Sequence, residues 1–120
     1  MKRFIAGFGF AGKGLAFAFK TQPNFRLQLV IAAIVIVLGL LVGLSATEWS
    51  CLLLAMGLVL SLELANTAIE KLVDMVTRER HPLAGQVKDV AAGAVLTASV
   101  AAAVVGLLIL MPRVIAWWPA

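Results

Sequence analysis

Two long runs of the chain, residues 29–46 and 90–111, contain no charged side chain, and residues 51–62 form a shorter uncharged run. A helix of about 17–25 mainly apolar residues can cross the hydrocarbon core of a bilayer. Only 13% of all residues are charged, against roughly 25% in soluble domains. The runs therefore predict an all-α integral membrane protein, a single domain over residues 1–120 with transmembrane helices at 29–46, 49–76 and 90–111.

Two polar stretches separate these segments. In the first, Thr47 is expected to cap the second helix and Glu48 to be solvated, while Trp49 is expected to lie at the membrane interface. The second stretch, residues 77–86, contains His81 followed by Pro82. A residue before proline is restricted away from the helical conformation, so this pair is expected to end a helix or to start a turn.

The N-terminal arm, residues 1–26, has a different composition. It carries five basic residues and no acidic one, and phenylalanines are mixed among them. This mixture predicts an amphipathic helix that lies on the surface of the membrane. Positive charge next to apolar membrane segments indicates that the arm binds an anionic bilayer surface. It argues against nucleic acid as a partner.

The positions of lysine and arginine also predict the orientation. In addition to the five basic residues of the arm, four lysines and arginines lie in or next to the second loop, residues 77–86. None lies in the turn between the first two segments. Basic loops are retained on the cytoplasmic side. The N-terminus and the second loop are therefore predicted to be cytoplasmic, and the C-terminus to be outside.

A polar face interrupts the second membrane segment. Glu63, Asn66, Glu70 and Asp74 follow one another at spacings of three, four and four residues, which places them on one side of a helix. Carboxyl groups on a membrane helix are costly unless they face protein, water or a cation. This polar face, defined by those four residues, is therefore a candidate functional site.

The residue types on and near the polar face are those of phosphoryl transfer. Glu63 and Glu70 can bind Mg²⁺, which prefers oxygen ligands, and Glu63 can act as a general base. Lys88 can hold a phosphate oxygen as a point charge. From this pattern alone, an ion- or drug-coupled transporter and a structural interface between subunits are equally compatible. Three helices are too few to enclose a site, so each of these alternatives implies an oligomer.

Several motifs resemble those of the prokaryotic diacylglycerol kinase and undecaprenol kinase family. They are Glu-x-x-Asn-Thr-Ala-Ile-Glu at 63–70, His-Pro-Leu-Ala at 81–84 and Lys-Asp-Val-Ala-Ala-Gly-Ala-Val at 88–95. The arm is similar too, with Gly-Lys-Gly-Leu at 12–15 and Asn-Phe-Arg at 24–26. The resemblance covers nearly the whole chain.

The resemblance implies a homotrimer of three-helix subunits in the bacterial cytoplasmic membrane, with active sites between subunits. ATP, with Mg²⁺ as cofactor, would phosphorylate a primary alcohol on a membrane lipid. By position, Glu63 resembles the catalytic base and Glu70 a metal ligand, and Arg3 and Glu63 would face the lipid. The positions implied to contact ATP are Arg3, Phe10, Asn66, Glu70, Glu79, His81, Lys88 and Asp89. Asp74 matches a position whose role is open.

Two positions depart from the family's pattern. Gln22 stands where the family often has a glutamate that is a second metal ligand, and it offers only a neutral carbonyl oxygen to a metal. Gln28 stands where an acid or a histidine is common, and its role is open. Both changes leave Glu63 and Glu70 in place, so activity is still expected with a weaker or differently shared metal site.

The lipid acceptor is expected to be undecaprenol or diacylglycerol. Residues 81–83 and 89–96 look more like the undecaprenol kinase branch, which favours undecaprenol. Two alternatives remain at this stage. One is a small oligomeric proton-coupled transporter that uses Glu63, and the other is a structural, catalytically weak member of the family.

Overall fold

The computed structural model describes residues 1–119, and its helices account for most of them. The helices are α1 (Lys2–Thr21), α2 (Pro23–Val42), α3 (Ala46–Val76) and α4 (Pro82–Trp117). The last three are long and apolar enough to cross a membrane. The prediction of an all-helical chain with three apolar helices of membrane-spanning length is therefore confirmed.

The helices α3 and α4 are longer than a bilayer requires. Their 31 and 36 residues correspond to lengths of about 46 and 54 Å at 1.5 Å per residue, whereas a hydrocarbon core is about 30 Å thick. Hydropathy marks only the part of each helix that is apolar. The predicted end of α3 at residue 76 agrees with the structure, whereas α2 and α4 have other bounds than the predicted 29–46 and 90–111. The polar ends of α3 and α4 lie outside the uncharged runs and carry the polar face and the residues that follow His81.

The turn between α2 and α3 is set by local chemistry. Gly43 has a φ of +71°, a left-handed conformation that favours glycine, and it ends α2. Ser45 caps α3: its Oγ accepts from the Glu48 amide at 3.2 Å, and its own amide donates to Glu48 Oε1 at 3.3 Å. This is a capping box. The prediction that Thr47 caps the helix was therefore wrong.

Glu48 also pairs with a residue far away in the sequence. Arg113, near the end of α4, donates from Nε to Glu48 Oε2 at 3.2 Å, and its Nη2 contacts Glu48 Oε1. The expectation that Glu48 is solvated overlooked this partner, because the two residues are 65 positions apart. The pair joins the start of α3 to the end of α4, so these two helices run antiparallel.

The joint between α1 and α2 is held by hydrogen bonds to the end of α1. Arg26 Nη1 donates to the carbonyl oxygens of Phe19 and Lys20 at 2.7 and 3.1 Å. Thr21 Oγ1 donates to the carbonyl of Phe17 at 2.7 Å. The two Arg26 bonds satisfy carbonyl groups that a helix end leaves without a partner. The arm is thus helical, while its amphipathic character and its place on the membrane surface remain predictions.

The core of the chain is a narrow seam along α3. Leu52, Val59, Glu63 and Thr67 are its buried residues, and their spacing of seven, four and four places them on one side of the helix. Ala91 and Ala98 are the buried residues of α4. Large apolar side chains elsewhere are exposed on every helix, as expected for surfaces that lipid or other subunits cover. The trimer itself remains a prediction.

The contact between α2 and the turn gives a first testable expectation. A Cβ atom at Gly39 would lie 2.6 Å from Trp49 Cη2 and 2.9 Å from Leu44 Cδ1. Gly39→Ala is therefore expected to lower the free energy of unfolding by about 1–3 kcal/mol, as overpacking does. Thermal unfolding in detergent measures this effect, with Gly57→Ala as the control because a Cβ there meets no atom within 4 Å. Equal stability of the two variants would contradict the expectation.

Candidate functional site

Glu63 is enclosed near the middle of α3, where only 4% of the residue is exposed. Gln28 on α2 donates from Nε2 to Glu63 Oε2 at 3.1 Å. The hydroxyl of Thr67, also buried, donates to the backbone carbonyl of Glu63 at 2.9 Å. The acid is thus held inside the chain by a neutral amide. This enclosure fits a reactive carboxyl group better than a solvated surface charge.

Asn66 and Glu70, one and two helical turns after Glu63, form a weaker hydrogen-bonded pair. Asn66 Nδ2 donates to Glu70 Oε1 at 3.4 Å, which is long for a hydrogen bond. The other amide atom, Asn66 Oδ1, is buried and has no partner within residues 1–119. Buried polar atoms are normally satisfied. The polar face therefore holds an amide oxygen without a partner next to a carboxylate, two oxygen donors of the kind that a metal ion binds.

These oxygen atoms fit Mg²⁺ only in an open arrangement. Across residues 1–119, no group of three or more His, Cys, Asp or Glu side chains is placed to hold a metal ion. Mg²⁺ is usually bound by one or two carboxylates together with waters and substrate phosphates. Glu70 and Asn66 match that donor set, whereas a closed cage of protein ligands does not exist in the described chain.

Asp74, at the end of the polar face, pairs with α4. Lys88 Nζ lies 2.7 Å from Asp74 Oδ1, and both side chains are about 40% exposed. A pair this exposed contributes little to stability. Its consequence is geometric: it places the Lys88 ammonium beside the polar face, so Asp74 orients the cation.

The α3–α4 loop forms an open groove next to this pair, with a volume of about 480 Å³. Its polar lining is Thr77, Arg78, Glu79, Arg80, His81 and Lys88. Three of these are cations and one is an acid, so the groove favours an anionic ligand.

His81 has a structural role in this groove. Its Nδ1 accepts from the amide of Leu83 at 3.2 Å, which makes it the N-cap of α4, and Pro82 occupies the first helical position. Proline at that position suits a helix start because its missing N–H needs no partner there. The expected turn at His81–Pro82 is therefore the start of α4.

The predicted site residues thus fall into two groups within one chain. The residues on or beside the polar face and the groove are Glu63, Asn66, Glu70, Asp74, Glu79, His81 and Lys88. Glu63 lies about 16–17 Å along α3 from Asp74, so a ligand has to extend along the polar face to reach both. Asp89 is exposed one residue beyond Lys88.

The arm residues Arg3 and Phe10 lie further away. Lys71 Nζ lies 5.9 Å from the centre of the Phe17 ring, so the second half of α1 is beside the polar end of α3. Phe10 and Arg3 are about 10 and 21 Å further along α1 at 1.5 Å per residue. Phe10 has Lys13 Nζ at 5.7 Å from its ring centre. Neither of these two residues is among those that line the groove of their own chain.

The two glutamines differ in what they contact. Gln22 lies at the α1–α2 joint, and its Nε2 donates locally to Thr21 Oγ1 at 3.2 Å. Gln28 reaches Glu63, a contact that the sequence pattern did not predict. A signal for it exists: Gln28 is the last polar residue before the apolar run that begins at 29, and polar side chains of neighbouring membrane helices tend to pair.

Known proteins are similar to this chain over most of its length. Residues 9–110 match the family model described as prokaryotic diacylglycerol kinase. The chain is 43% identical to an undecaprenol kinase of Bacillus subtilis over 113 residues, which is 94% of this chain and 92% of the relative. It is also 43% identical over 109 residues to a diacylglycerol kinase of Synechocystis, covering 90% of this chain and 62% of that protein.

A relative with lower sequence identity is also similar over most of the chain. A diacylglycerol kinase of Escherichia coli is 32% identical over 102 residues, which is 85% of this chain and 84% of the relative. The region that matches the family model contains the polar face and the groove, whereas Arg3 precedes it.

Proposed function

The chain belongs to the prokaryotic diacylglycerol kinase family, and on that premise we propose that it is a lipid kinase which transfers the γ-phosphoryl group of ATP to a membrane lipid alcohol. One observation carries the proposal within the chain: the polar face leads from the enclosed carboxylate of Glu63 to a groove lined with cations. A lipid hydroxyl comes from the membrane and a nucleotide from water. The polar face connects the two environments.

The groove is proposed to take the nucleotide. Arg78, Arg80 and Lys88 line it and would attract the triphosphate by charge. Lys88 would hold a phosphate oxygen, oriented by its ion pair with Asp74. In phosphoryl transfer there is little covalent chemistry for the protein to perform, so positioning and charge neutralisation supply most of the catalysis.

Glu70 and Asn66 are proposed to hold the metal that accompanies the nucleotide. The unpaired Asn66 Oδ1 and the Glu70 carboxylate are oxygen ligands of the kind Mg²⁺ prefers. When bound, Mg²⁺ would neutralise charge on the phosphate oxygens. Gln22 is proposed to contribute at most a neutral oxygen, since the family's usual glutamate is absent there.

Glu63 is proposed to accept the proton of the lipid hydroxyl. As the O–H bond breaks, the lipid oxygen forms a bond to the γ-phosphorus, and the bond from that phosphorus to the bridging oxygen breaks to release ADP. The enclosure of Glu63 supports this role because a general base works best when it is positioned and shielded from water.

The protein is a bacterial membrane protein, and we propose that the groove faces the cytoplasm, where ATP is present. The N-terminus would then be cytoplasmic and the C-terminus outside, as the Lys and Arg distribution predicts. A homotrimer is proposed because Arg3 and Phe10 lie away from the groove of their own chain, and a neighbouring subunit could supply them. The broad exposed apolar surface supports such an assembly.

Undecaprenol is proposed as the acceptor, with diacylglycerol as the alternative. Purified protein in mixed micelles is given Mg-ATP with undecaprenol, with diacylglycerol or with no added lipid, and the phosphorylated lipid is quantified. We expect product with lipid only, and faster formation with undecaprenol. Faster phosphorylation of diacylglycerol would reverse the assignment of the acceptor. No product with either lipid from folded protein would overturn the kinase proposal, and proton flux into vesicles without ATP would favour a transporter.

A further inference from the structure

Gln28 is the residue whose side chain reaches the carboxylate of Glu63, across 35 positions of sequence. We propose that Gln28 is a positioning residue for lipid phosphorylation, which holds the Glu63 carboxylate in the orientation that accepts the hydroxyl proton. The inference rests on the proposed function, since it concerns the proposed base. Gln28 touches Glu63 and not the reacting atoms, so it acts through Glu63.

The backbone that presents Gln28 is itself held in place. Phe25, three residues earlier on α2, is only 4% exposed, and residues three apart lie on the same side of a helix. Arg26 ties the same turn of α2 to the carbonyl groups at the end of α1. The amide therefore reaches Glu63 from a rigid helix and not from a loop, which is the arrangement that fixes a reactive group within a narrow range of positions.

The direction of this hydrogen bond matters for the role of Glu63 as a proton acceptor. Gln28 donates through Nε2, while its Oε1 is buried without a partner in residues 1–119. If the amide were reversed, its carbonyl oxygen would oppose the carboxylate oxygen, and two acceptors would face each other. The N–H donor leaves the proton-accepting role to the Glu63 carboxyl oxygens, whereas a carbonyl oxygen facing them would compete for the hydroxyl proton.

An amide also does not compete with the base. Unlike a carboxyl group or an imidazole, the glutamine side chain neither gains nor loses a proton in ordinary conditions. Its bond occupies Glu63 Oε2 from one side, so Oε1 and the remaining lone pairs stay available to the substrate. Gln28 can thus orient Glu63 throughout the transfer without taking up the substrate proton.

The test compares variants that keep or remove the donor. Gln28→Met retains size without an N–H group, and Gln28→His restores an N–H donor in a ring. We expect Gln28→Met to lower kcat about tenfold to a hundredfold, as misplacement of a catalytic group does, with the KM values for ATP and lipid changed less than about twofold. Gln28→His is expected to recover most of the rate. Gln86→Met is the matched control, an exposed glutamine expected to retain the wild-type rate.

A second set of variants separates positioning from a merely structural effect. In the Glu63→Gln background, Gln28→Met is expected to add no further loss, because residues that act as a unit are not additive. The rates are normalised to folded protein, measured by thermal unfolding, and Gln28→Leu replaces Gln28→Met if that variant does not fold. A wild-type kcat in the donor-free variant, a full loss in Gln28→His, or an equal loss in both backgrounds would overturn the inference. Wild-type protein inactive on both lipids would overturn the proposed function, and this inference with it.

Discussion

Glu63→Gln is expected to lower kcat for lipid phosphorylation by about 10²–10⁴-fold, the usual contribution of a general base. The substitution keeps the size of the side chain and removes its ability to take a proton. A glutamine at this position can still meet the amide of Gln28, so the seam of α3 is expected to stay packed. The measurement is the rate of phosphorylated lipid formed at saturating Mg-ATP and lipid, with KM for both substrates determined beside it.

The control for this variant is Glu48→Gln, the same chemical change in the first turn of α3. Glu48 pairs with Arg113 far from the groove, so the control can lose some stability but is expected to keep kcat. A Glu63→Gln protein that phosphorylates lipid at the wild-type rate would exclude Glu63 as the base. The burial of this acid would then reflect a structural role.

Glu70→Gln is expected to lower kcat/KM for Mg-ATP by about 100-fold or more, because metal sites lose 10- to 100-fold even when only a supporting residue is changed. Its carboxylate is the proposed charged oxygen ligand, and it lies beside the unpaired Asn66 Oδ1. Removing that charge should weaken metal binding, so a higher Mg²⁺ concentration is expected to restore part of the rate. Titration of Mg²⁺ at fixed ATP measures this shift.

A binding measurement tests the proposed metal-binding role of Glu70 without turnover. A ligand that binds the folded state raises its apparent stability, so a non-hydrolysable ATP analogue with Mg²⁺ is expected to raise the unfolding temperature of the wild-type protein. Glu70→Gln should lose most of that increase, while Glu48→Gln retains it. An unchanged Mg²⁺ dependence in Glu70→Gln would exclude it as a metal ligand.

The membrane helices were predictable, and so was the end of α3 at residue 76, but the other helix ends were not. Hydropathy is a property of composition, so uncharged runs identify α2, α3 and α4. The end of α2 depends on the backbone conformation of Gly43, and the start of α3 depends on two reciprocal hydrogen bonds between Ser45 and Glu48. Such features occupy one or two residues, and an averaged hydrophobic pattern does not register them.

The polar face was predictable for a related reason. Its residues belong to one helix, and helical periodicity alone places them together. The partners from other helices were not predictable in the same way: Gln28 for Glu63, and Lys88 for Asp74. Their pairing depends on how α2 and α4 pack against α3, which the spacing within a single helix does not contain.

The two ion pairs between α3 and α4 also have matching separations along the two helices. Glu48 and Asp74 are 26 residues apart on α3, and Lys88 and Arg113 are 25 apart on α4, which correspond to about 39 and 38 Å of helix. The matched spacing means that both pairs form in only one register of the two antiparallel helices. A slip by one turn, about 5.4 Å, would break both at once. Both pairs therefore form together only when the groove at the α3–α4 loop is aligned with the polar face of α3.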